Sequence, residues 1–258
     1  MKLVYIICLL TTLYITSCKL PISTHLFCTN TDLNIGNQIW MTKNLNVDTF
    51  RNGDSIPQAK NIEQWIIAAE NKLPAWCFYQ FDIQFGKKYG KLYNWYAVND
   101  ARGLAPKGYH VPSISEWTVL LDFLGGADVA GKSLKSKDGW ETFTQGGKTD
   151  CPFCNFEYSK GESVKCKYCN DSKYIISDEE TINGNGNNSS GLNFLPGGAI
   201  NGGGEFFGKI GASGYWWSKT KRDKGWAFCC ILNNYDGESV ERLDYNMGNG
   251  LSVRCLRD

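Results

Sequence analysis

Four cysteines in the middle of the chain have the residue type and spacing that most clearly predict a chemical role. They form two C-x-x-C pairs, Cys151 with Cys154 and Cys166 with Cys169. A spacing of two residues lets both thiolates of a pair turn toward one ion, and two such pairs supply the four sulfurs of a tetrahedral zinc site. Because protein ligands then fill every coordination position, we expect the Zn²⁺ to be structural.

The same cysteines have two alternative interpretations. An exported protein meets an oxidising compartment, in which the four thiols would form two disulfides. An iron–sulfur cluster would also use four thiolates, but nothing else in the sequence indicates electron transfer. In each case the inserted segment, at about residues 145–190, has too few apolar residues to fold alone. The metal or the crosslinks would therefore serve as the core of this insertion.

One amphipathic helix must position much of the remaining chain. Ser113 is a typical N-cap residue, and Glu116, three positions later, completes a capping box. Gly125 supplies the left-handed residue that ends a helix. His110 has no cysteine or acidic neighbour in sequence, so we expect it to be a structural hydrogen-bonding residue. The apolar residues recur at helical spacing on one face, and they are Trp117, Leu120, Leu121 and Leu124.

Several further segments have patterns of secondary structure. Residues 76–79 and 92–96 are dense in aromatic side chains and predict two strands. Such rings could form a ligand platform, but in a domain with few helices they more often belong to the core. A second helical stripe contains Ile62, Trp65, Ile66 and Ala69. We expect a short helix within residues 126–140 and further strands at residues 38–45, 215–218, 226–232 and 250–256.

The capped helix is one of several motifs that occur in a fixed order. They lie at residues 35–45, 89–98, 108–117, 214–218 and 250–258, and the central one reads Gly108-Tyr-His-Val-Pro-Ser-Ile-Ser-Glu-Trp117. Together they resemble the Fibrobacter succinogenes major paralogous domain family over residues 32–258, apart from the cysteine-rich insertion. The resemblance implies an α+β fold with short antiparallel strands and two main helices. It implies a distant likeness to C-type-lectin-like domains and the formylglycine-generating enzyme, and a location at the cell surface.

The N-terminus has the features of a bacterial targeting segment. In residues 1–17, Lys2 precedes an apolar stretch that is too short to span a bilayer stably. The sequence Ile15-Thr-Ser-Cys18 resembles a lipobox, so we expect cleavage before Cys18 and attachment of lipid to its thiol. Residues 18–31 would then tether the domain to the membrane. An ordinary secretory peptide is the alternative. The predicted location is the bacterial cell envelope, on the outer membrane, facing the periplasm or the outside.

The overall composition argues against some partners and ligands. The chain has 27 basic and 26 acidic residues and a formal charge of +1. Nucleic-acid binding depends on a concentrated basic patch, which the sequence lacks. The glycines at 202–204 are not followed by the Lys-Ser/Thr ending of a phosphate-binding loop. The Asn- and Asp-rich residues 177–190 could offer oxygens to Ca²⁺, but they lack the ligand spacing of an EF-hand, so calcium is unsupported.

We interpret the protein as a non-catalytic binding or adhesion module whose ligand is a carbohydrate or an envelope protein. In C-type-lectin-like folds the ligand face lies beside the last strands. Aromatic rings stack on sugars and amides bond their hydroxyls. The calcium motif of sugar-binding lectins is absent, which leaves calcium-dependent binding unsupported. The resemblance implies a ligand face that includes Trp216, Trp217, Asn233, Asn234, Tyr235 and Asp236.

Two other functions remain open. The protein could be a structural component of an envelope assembly, with the cysteine-rich insertion as its contact point. An oxidoreductase resembling the formylglycine-generating enzyme would hold copper between two cysteines, drawn from Cys77, Cys229, Cys230 and Cys255. Adjacent residues of a strand point to opposite faces, so Cys229 and Cys230 would not share a site. The family-like ending implies that Cys255 forms a disulfide with Cys77 or is a buried thiol.

Overall fold

A computed structural model describes residues 32–145, 180–235 and 239–258. The chain divides into Met1–Asn30 and Thr31–Asp258, and the described residues belong to the second unit. Several of the predicted features lie outside the described residues. These are the signal peptide, Cys18 and the tether, the four cysteines Cys151, Cys154, Cys166 and Cys169, and Asp236.

The described residues contain short helices and short strands, as expected for an α+β domain. The five α-helices are α1 (Ile62–Glu70), α2 (Ile83–Tyr89), α3 (Trp95–Val98), α4 (Ile114–Phe123) and α5 (Ala130–Leu134), and a 3₁₀ turn covers Tyr79–Phe81. The first seven strands are β1 (Asp32–Ile35), β2 (Gln38–Met41), β3 (Trp76–Cys77), β4 (Leu92–Asn94), β5 (Tyr109–His110), β6 (Phe143–Gln145) and β7 (Glu180–Ile182). The others are β8 (Ala199–Ile200), β9 (Phe206–Phe207), β10 (Ser213–Asp223), β11 (Trp226–Asn233), β12 (Glu241–Asn246), β13 (Gly250–Leu251) and β14 (Leu256–Arg257).

These strands pair antiparallel in four sheets across the described part of the chain. The sheet orders are β1-β2-β14-β5, β10-β11-β12, β3-β4-β13-β8-β9 and β6-β7. The first sheet joins the two ends of the domain, since Leu256 of β14 lies opposite Trp40 of β2 and His110 of β5. The expected α+β class with antiparallel strands is therefore confirmed. The expected strand over residues 250–256 is interrupted, because only its two ends form ladders.

Helix α4 forms as its sequence predicts. The Ser113 side chain accepts a hydrogen bond from the Glu116 amide, and the Glu116 carboxylate accepts one from the Ser113 amide at 2.7 Å. Together these bonds satisfy backbone donors that a helix start leaves without partners. Trp117, Leu120 and Leu121 are buried in a core cluster that includes Trp40, Phe194 and Trp216. Gly125 has a φ of +101°, the left-handed conformation expected at the helix end.

Helix α1 is present at the predicted residues, and three of the four residues of its predicted stripe, Trp65, Ile66 and Ala69, are buried or partly buried. Trp65 is fully buried, and its indole N–H donates to the Asn201 carbonyl at 2.9 Å. Ala68 is also buried, whereas Ile62 is 50% exposed. The predicted stripe is therefore correct except at Ile62, which is exposed, and the buried face also includes Ala68. The large indole of Trp65 determines which face packs inward, since burying it removes the most apolar surface from water.

The sheet β10-β11-β12 is buried on both faces at its centre. Cys229 and Trp217 pack into one core cluster, and Cys230 and Trp216 pack into another on the opposite face. Trp217 lies opposite Cys229 in the β10–β11 ladder, and Trp216 lies opposite Cys230. A strand between two cores reads as a continuous apolar run. The aromatic run of β10 therefore reflects burial on both sides.

Candidate functional site

The ligand face expected at the end of β10 is not assembled in the structure. Trp216 and Trp217 are both 0% exposed. The Trp216 indole N–H donates to the Asn44 side chain at 2.9 Å, and that of Trp217 donates to the Tyr93 carbonyl at 2.8 Å. A ring that is enclosed on both faces cannot stack on a ligand. The assignment of these two tryptophans to a ligand face is therefore wrong, and they belong to the core.

The polar residues of the same predicted face bond mainly to neighbouring parts of the fold, such as Ser213, Glu241 and the Glu141 carbonyl. Asn233 is 6% exposed, and its side chain accepts from the Ser213 hydroxyl at 2.7 Å and donates to Tyr235 and Glu241 at 2.8 and 3.0 Å. Asn234 is 8% exposed. Tyr235 is 49% exposed and is the part of this set, among the described residues, that offers surface to solvent. These amides fix the turn after β11 and leave little free hydrogen-bonding capacity for a ligand.

The described cysteines are buried, unpaired thiols. Cys77, Cys229, Cys230 and Cys255 are all free. The expected disulfide between Cys77 and Cys255 is therefore wrong, and the alternative of a buried thiol holds for Cys255. Burial raises the pKa of Cys77 well above its usual value and that of Cys255 to about 12. Cys229 and Cys230 lie on opposite faces of β11, as the strand geometry predicted.

His110 has the structural role expected of it. Its ring nitrogens lie 2.8 Å from the Asp258 carboxylate and 2.9 Å from that of Glu116, so it links the C-terminus to the cap of α4. Burial opposes protonation of the ring, but the hydrogen bonds to Asp258 and Glu116 outweigh it and raise the pKa of His110 above its ordinary value. This cluster connects two elements of the fold, and His110 also contributes to the lining of a cavity of about 260 Å³.

A groove elsewhere on the domain has the features of a ligand site. It encloses about 710 Å³ and combines apolar side chains with polar groups that differ in charge. Its apolar residues are Trp76, Phe78, Phe81 and Ile83, and its polar residues are Asn46, Asp48, Gln58, Asp82, Lys87 and Lys91. Sites for small molecules commonly have this combination of apolar surface and a few placed polar groups. We call this surface the aromatic groove.

Local backbone pairing positions the floor of the aromatic groove. Strand β3 supplies Trp76, whose amide and carbonyl bond to Pro57 and Ala59, and this pairing fixes Gln58 at the rim. Gly86 of α2 allows the Phe78 ring to approach closely, since an added Cβ at Gly86 would lie 2.1 Å from that ring. These contacts join segments that are distant in sequence.

The turn at the end of this floor has an uncommon backbone conformation. Gln80 and Phe81 have φ values of +52° and +57°, in the left-handed region that residues other than glycine rarely adopt. The Phe81 ring packs edge-on against Phe206 at 5.3 Å. Residues held in this region carry strain and concentrate at functional sites. The strained turn holds Phe81, which is only partly buried, at the edge of the groove.

Lys91 forms a fixed cationic wall of the aromatic groove. The residue is 6% exposed, and its ammonium lies 4.1 Å from the centre of the Trp76 ring. It donates to the Asn46 carbonyl at 3.2 Å and lies 3.9 Å from the Asp48 carboxylate. Burial lowers the pKa of Lys91, and the nearby Asp48 charge partly opposes that shift. The groove therefore presents the Lys91 ammonium in a fixed position beside exposed carboxylate and amide groups.

A second cavity adjoins the aromatic groove and has a different electrostatic character. It encloses about 350 Å³ and shares Asn46, Gly86 and Lys87 with the groove. Its other lining residues include Lys43, Lys88 and Arg254, with Asn44 and Asn193. No carboxylate belongs to the described lining. We call this space the cationic cavity.

Arg254 is the most buried charge of the cationic cavity. It is 1% exposed, and its guanidinium lies 4.2 Å from the centre of the Phe194 ring. It donates to the carbonyls of Met41 and Leu192 at 3.1 and 2.7 Å and to the Asn44 side chain at 2.9 Å. These acceptors are all neutral. The charge of Arg254 is therefore held by dipoles within the described structure.

Most groove residues were not identified as site residues from the sequence. The aromatic density of residues 76–79 predicted core, with a ligand platform as the alternative. The rings are buried, as expected for core, and Trp76 and Phe78 also line the groove. Nothing in the local sequence signals Gln58, Phe81 or Lys91. They meet only because β3 pairs with residues 57–59 and with β4.

The described ranges contain neither a cluster of metal ligands nor a helix suited to cross a membrane. Within residues 32–145, 180–235 and 239–258, no group of three or more His, Cys, Asp or Glu side chains is placed to hold a metal ion. In the same ranges no helix has the length and apolarity needed to cross a bilayer.

Comparison with known proteins gives one result. The family model described as the Fibrobacter succinogenes major domain matches residues 33–257. No curated protein and no solved structure matches the chain significantly.

Proposed function

The chain belongs to the Fibrobacter succinogenes major domain family, and we propose that it is a non-catalytic binding module of the bacterial cell envelope that binds carbohydrate in the aromatic groove. The binding function is the one expected from the sequence, but its site is now the aromatic groove instead of the face at the end of β10. The observation that carries it is the groove itself, in which aromatic and aliphatic side chains lie beside amide, carboxylate and ammonium groups.

The chemistry of the groove suits a saccharide. One side of a sugar ring presents C–H groups that pack on aromatic and aliphatic surface, as offered by Phe81 and by Ile83, which is 56% exposed. Sugar hydroxyls both donate and accept, so they need acceptors and donors at the rim. Asp48 and Asp82 provide acceptors, Lys87 provides a donor, and Gln58 provides both. All four polar residues are solvent-exposed, and are therefore accessible to a ligand.

We further propose that the domain has a C-type-lectin-like fold, distantly related to that of the formylglycine-generating enzyme. The antiparallel sheets and short helices support this relationship, as does the pairing of β14 with β2, which brings the two ends of the domain together. The proposed location, on the outer membrane through lipid attached to Cys18, follows from the lipobox resemblance. The insertion with its four cysteines is proposed to hold a structural zinc ion.

The experiment that tests the carbohydrate proposal compares two isoleucines. Isothermal titration with neutral hexaoses of glucose, xylose or mannose would identify a ligand of the lipid-free chain from residue 19. Ile83→Ser removes apolar surface from the groove, and Ile67→Ser makes the same change on α1, where Ile67 is 48% exposed. We expect the first variant to weaken binding about threefold to tenfold, since burying this side chain contributes ~1 kcal/mol. The second should bind normally.

Two controls make the result decisive. Tyr235→Ala, on the face originally expected, should leave affinity unchanged. If Tyr235→Ala abolished binding while Ile83→Ser did not, the site would lie beside β11 and the groove proposal would fail. If no glycan bound but an envelope protein copurified at a fixed ratio, the alternative of a structural assembly component would replace it.

A further inference from the structure

The cationic cavity concentrates positive charge at one end of the aromatic groove. Lys43, Lys87 and Lys88 are solvent-exposed and Arg254 forms the buried wall. The acidic residues Asp48 and Asp82 line the groove and do not line the cavity. The molecule as a whole is nearly neutral. A local group of four cations without an acid in the described lining is therefore a specific feature of this cavity.

Structural roles explain only part of this charge. Lys87 and Lys88 lie in the last turn of α2, where cations interact favourably with the helix dipole. That account does not cover Lys43, which follows β2, or Arg254, which precedes β14. The two lysines of α2 and the two other cations come from three separate segments. The fold brings them to the same 350 Å³ space.

Arg254 is the second, independent observation. Its hydrogen bonds in the described structure go to carbonyl and amide oxygens, so no carboxylate neutralises a guanidinium that is 1% exposed. Burial lowers the pKa of Arg254 to about 9, which still leaves it protonated at neutral pH. Buried charges are usually paired with an opposite charge. An anion in the adjoining cavity would supply the missing charge.

The lining of the cavity also suits an oxyanion. Asn46 and Asn193 line it together with the cations. The Asn44 side chain is also in the lining, but its N–H groups already donate to the Tyr89 carbonyl and the Ser252 hydroxyl. Ammonium and amide N–H groups donate to sulfate, phosphate and carboxylate oxygens, and charge-assisted bonds of this kind are shorter and stronger than neutral ones. A volume of about 350 Å³ lies at the lower end of the range for ligand sites, enough for one sugar unit with its charged substituent.

We propose that the cationic cavity binds an oxyanion substituent of the same saccharide that occupies the aromatic groove, so that the preferred ligand is an acidic glycan. The proposal rests on the proposed function, because it assigns the ligand's charge to a space that shares lining residues with the groove. The shared residues Asn46, Gly86 and Lys87 allow one extended chain to contact both. The substituent can be a uronate carboxylate, a sulfate ester or a phosphate ester, since the cavity recognises charge and oxygen acceptors common to all three.

The test measures affinity for matched pairs of oligosaccharides with and without the charged group. The probes are a neutral hexaose and its sulfated, phosphorylated and uronate counterparts, each titrated into the lipid-free chain by calorimetry. The acidic members should bind about tenfold or more tightly, and this advantage should shrink as NaCl is raised from 50 to 300 mM. The ranking of the three acidic probes distinguishes the sources of the anion.

Charge-matched variants separate a local site from the overall charge. Lys43→Gln with Lys88→Gln removes two cations from the cavity, and Lys60→Gln with Lys107→Gln removes two exposed cations elsewhere. The first pair should lose the preference for the acidic probe by about tenfold and keep the neutral affinity. The second pair should retain both affinities.

The outcomes distinguish the two proposals. Equal binding of neutral and acidic probes, or equal losses in both double variants, would overturn the acidic-glycan inference and leave the groove function intact. Failure of every probe to bind would overturn the proposed function and this inference with it. Measurement of secondary structure by circular dichroism ensures that the variants compared are folded, and exposed Lys→Gln changes are small perturbations of stability.

Discussion

Two tryptophans in contact allow a sharp test of what an unpaired hydrogen-bond donor costs in the core. Trp40 and Trp117 are 0% and 1% exposed, belong to the same cluster, and have ring centres 4.9 Å apart. The Trp40 indole N–H donates to the Gln38 side chain at 3.0 Å. The Trp117 indole N–H is buried without a hydrogen-bond partner among the described residues. The two tryptophans therefore differ mainly in whether the indole N–H has a hydrogen-bond acceptor.

Replacing each tryptophan by phenylalanine should give unequal losses of stability. Both changes remove a similar part of the ring, so the transfer and cavity costs are comparable and largely cancel in the comparison. Trp40→Phe also loses a hydrogen bond, at about 1 kcal/mol, and leaves the Gln38 oxygen without that partner. Trp117→Phe removes a buried donor whose lack of a partner costs roughly 1–3 kcal/mol. Trp40→Phe should therefore be the more destabilising by about 2 kcal/mol or more.

The assay is equilibrium urea unfolding of the two variants, followed by circular dichroism. With a slope of roughly 3 kcal/mol per molar urea for a domain of this size, the midpoints should differ by about 0.7 M. Equal slopes are the control, because a changed slope would indicate a different unfolded state. A Trp117→Phe variant as unstable as Trp40→Phe, or less stable, would refute the reasoning.

Three further predictions concern the termini and the insertion. Cys18→Ser should release the full-length protein from membranes and abolish palmitate labelling, whereas persistent labelling would contradict the lipobox. The lipid-free chain should contain about one zinc ion, lost in Cys151→Ser with Cys166→Ser while the main domain stays folded; metal-free protein with two disulfides would contradict this. The stabilisation from His110 should be fully present below pH ~6.5 and disappear as the pH rises through its raised pKa, so the unfolding free energies of wild type and His110→Gln should differ more at pH 5.5 than at pH 8.5. A difference that is the same at both pH values would show that the bonds to Asp258 and Glu116 do not depend on the ring charge.

The parts of the fold that sequence predicts are those determined by neighbouring residues. The capping box of Ser113 and Glu116 and the stop at Gly125 involve positions within one or two turns, so α4 was predicted with its start, face and end. The opposite orientations of Cys229 and Cys230 follow from strand geometry alone. These features need no knowledge of what packs against them.

The site could not be predicted because its residues meet through long-range contacts. Trp216 and Trp217 have the composition of a ligand platform, and only the layers on both sides of β10 show that they are core. Phe81 reaches the groove through a left-handed turn that its residue type does not favour. Arg254 lies in a family-like ending, yet its burial beside Lys43 and Lys88 depends on how β14 joins β2.

The most direct test of the central claim is the location of the bound saccharide. Backbone amide shifts of the lipid-free, isotope-labelled chain would be followed by NMR during titration with the tightest-binding oligosaccharide. We predict the largest changes in residues 46–58 and 76–91, with changes in Lys43 and Arg254 when the ligand is acidic. Changes confined to Asn233–Tyr235 and their neighbours, with residues 76–91 unaffected, would contradict the claim that the aromatic groove is the binding site.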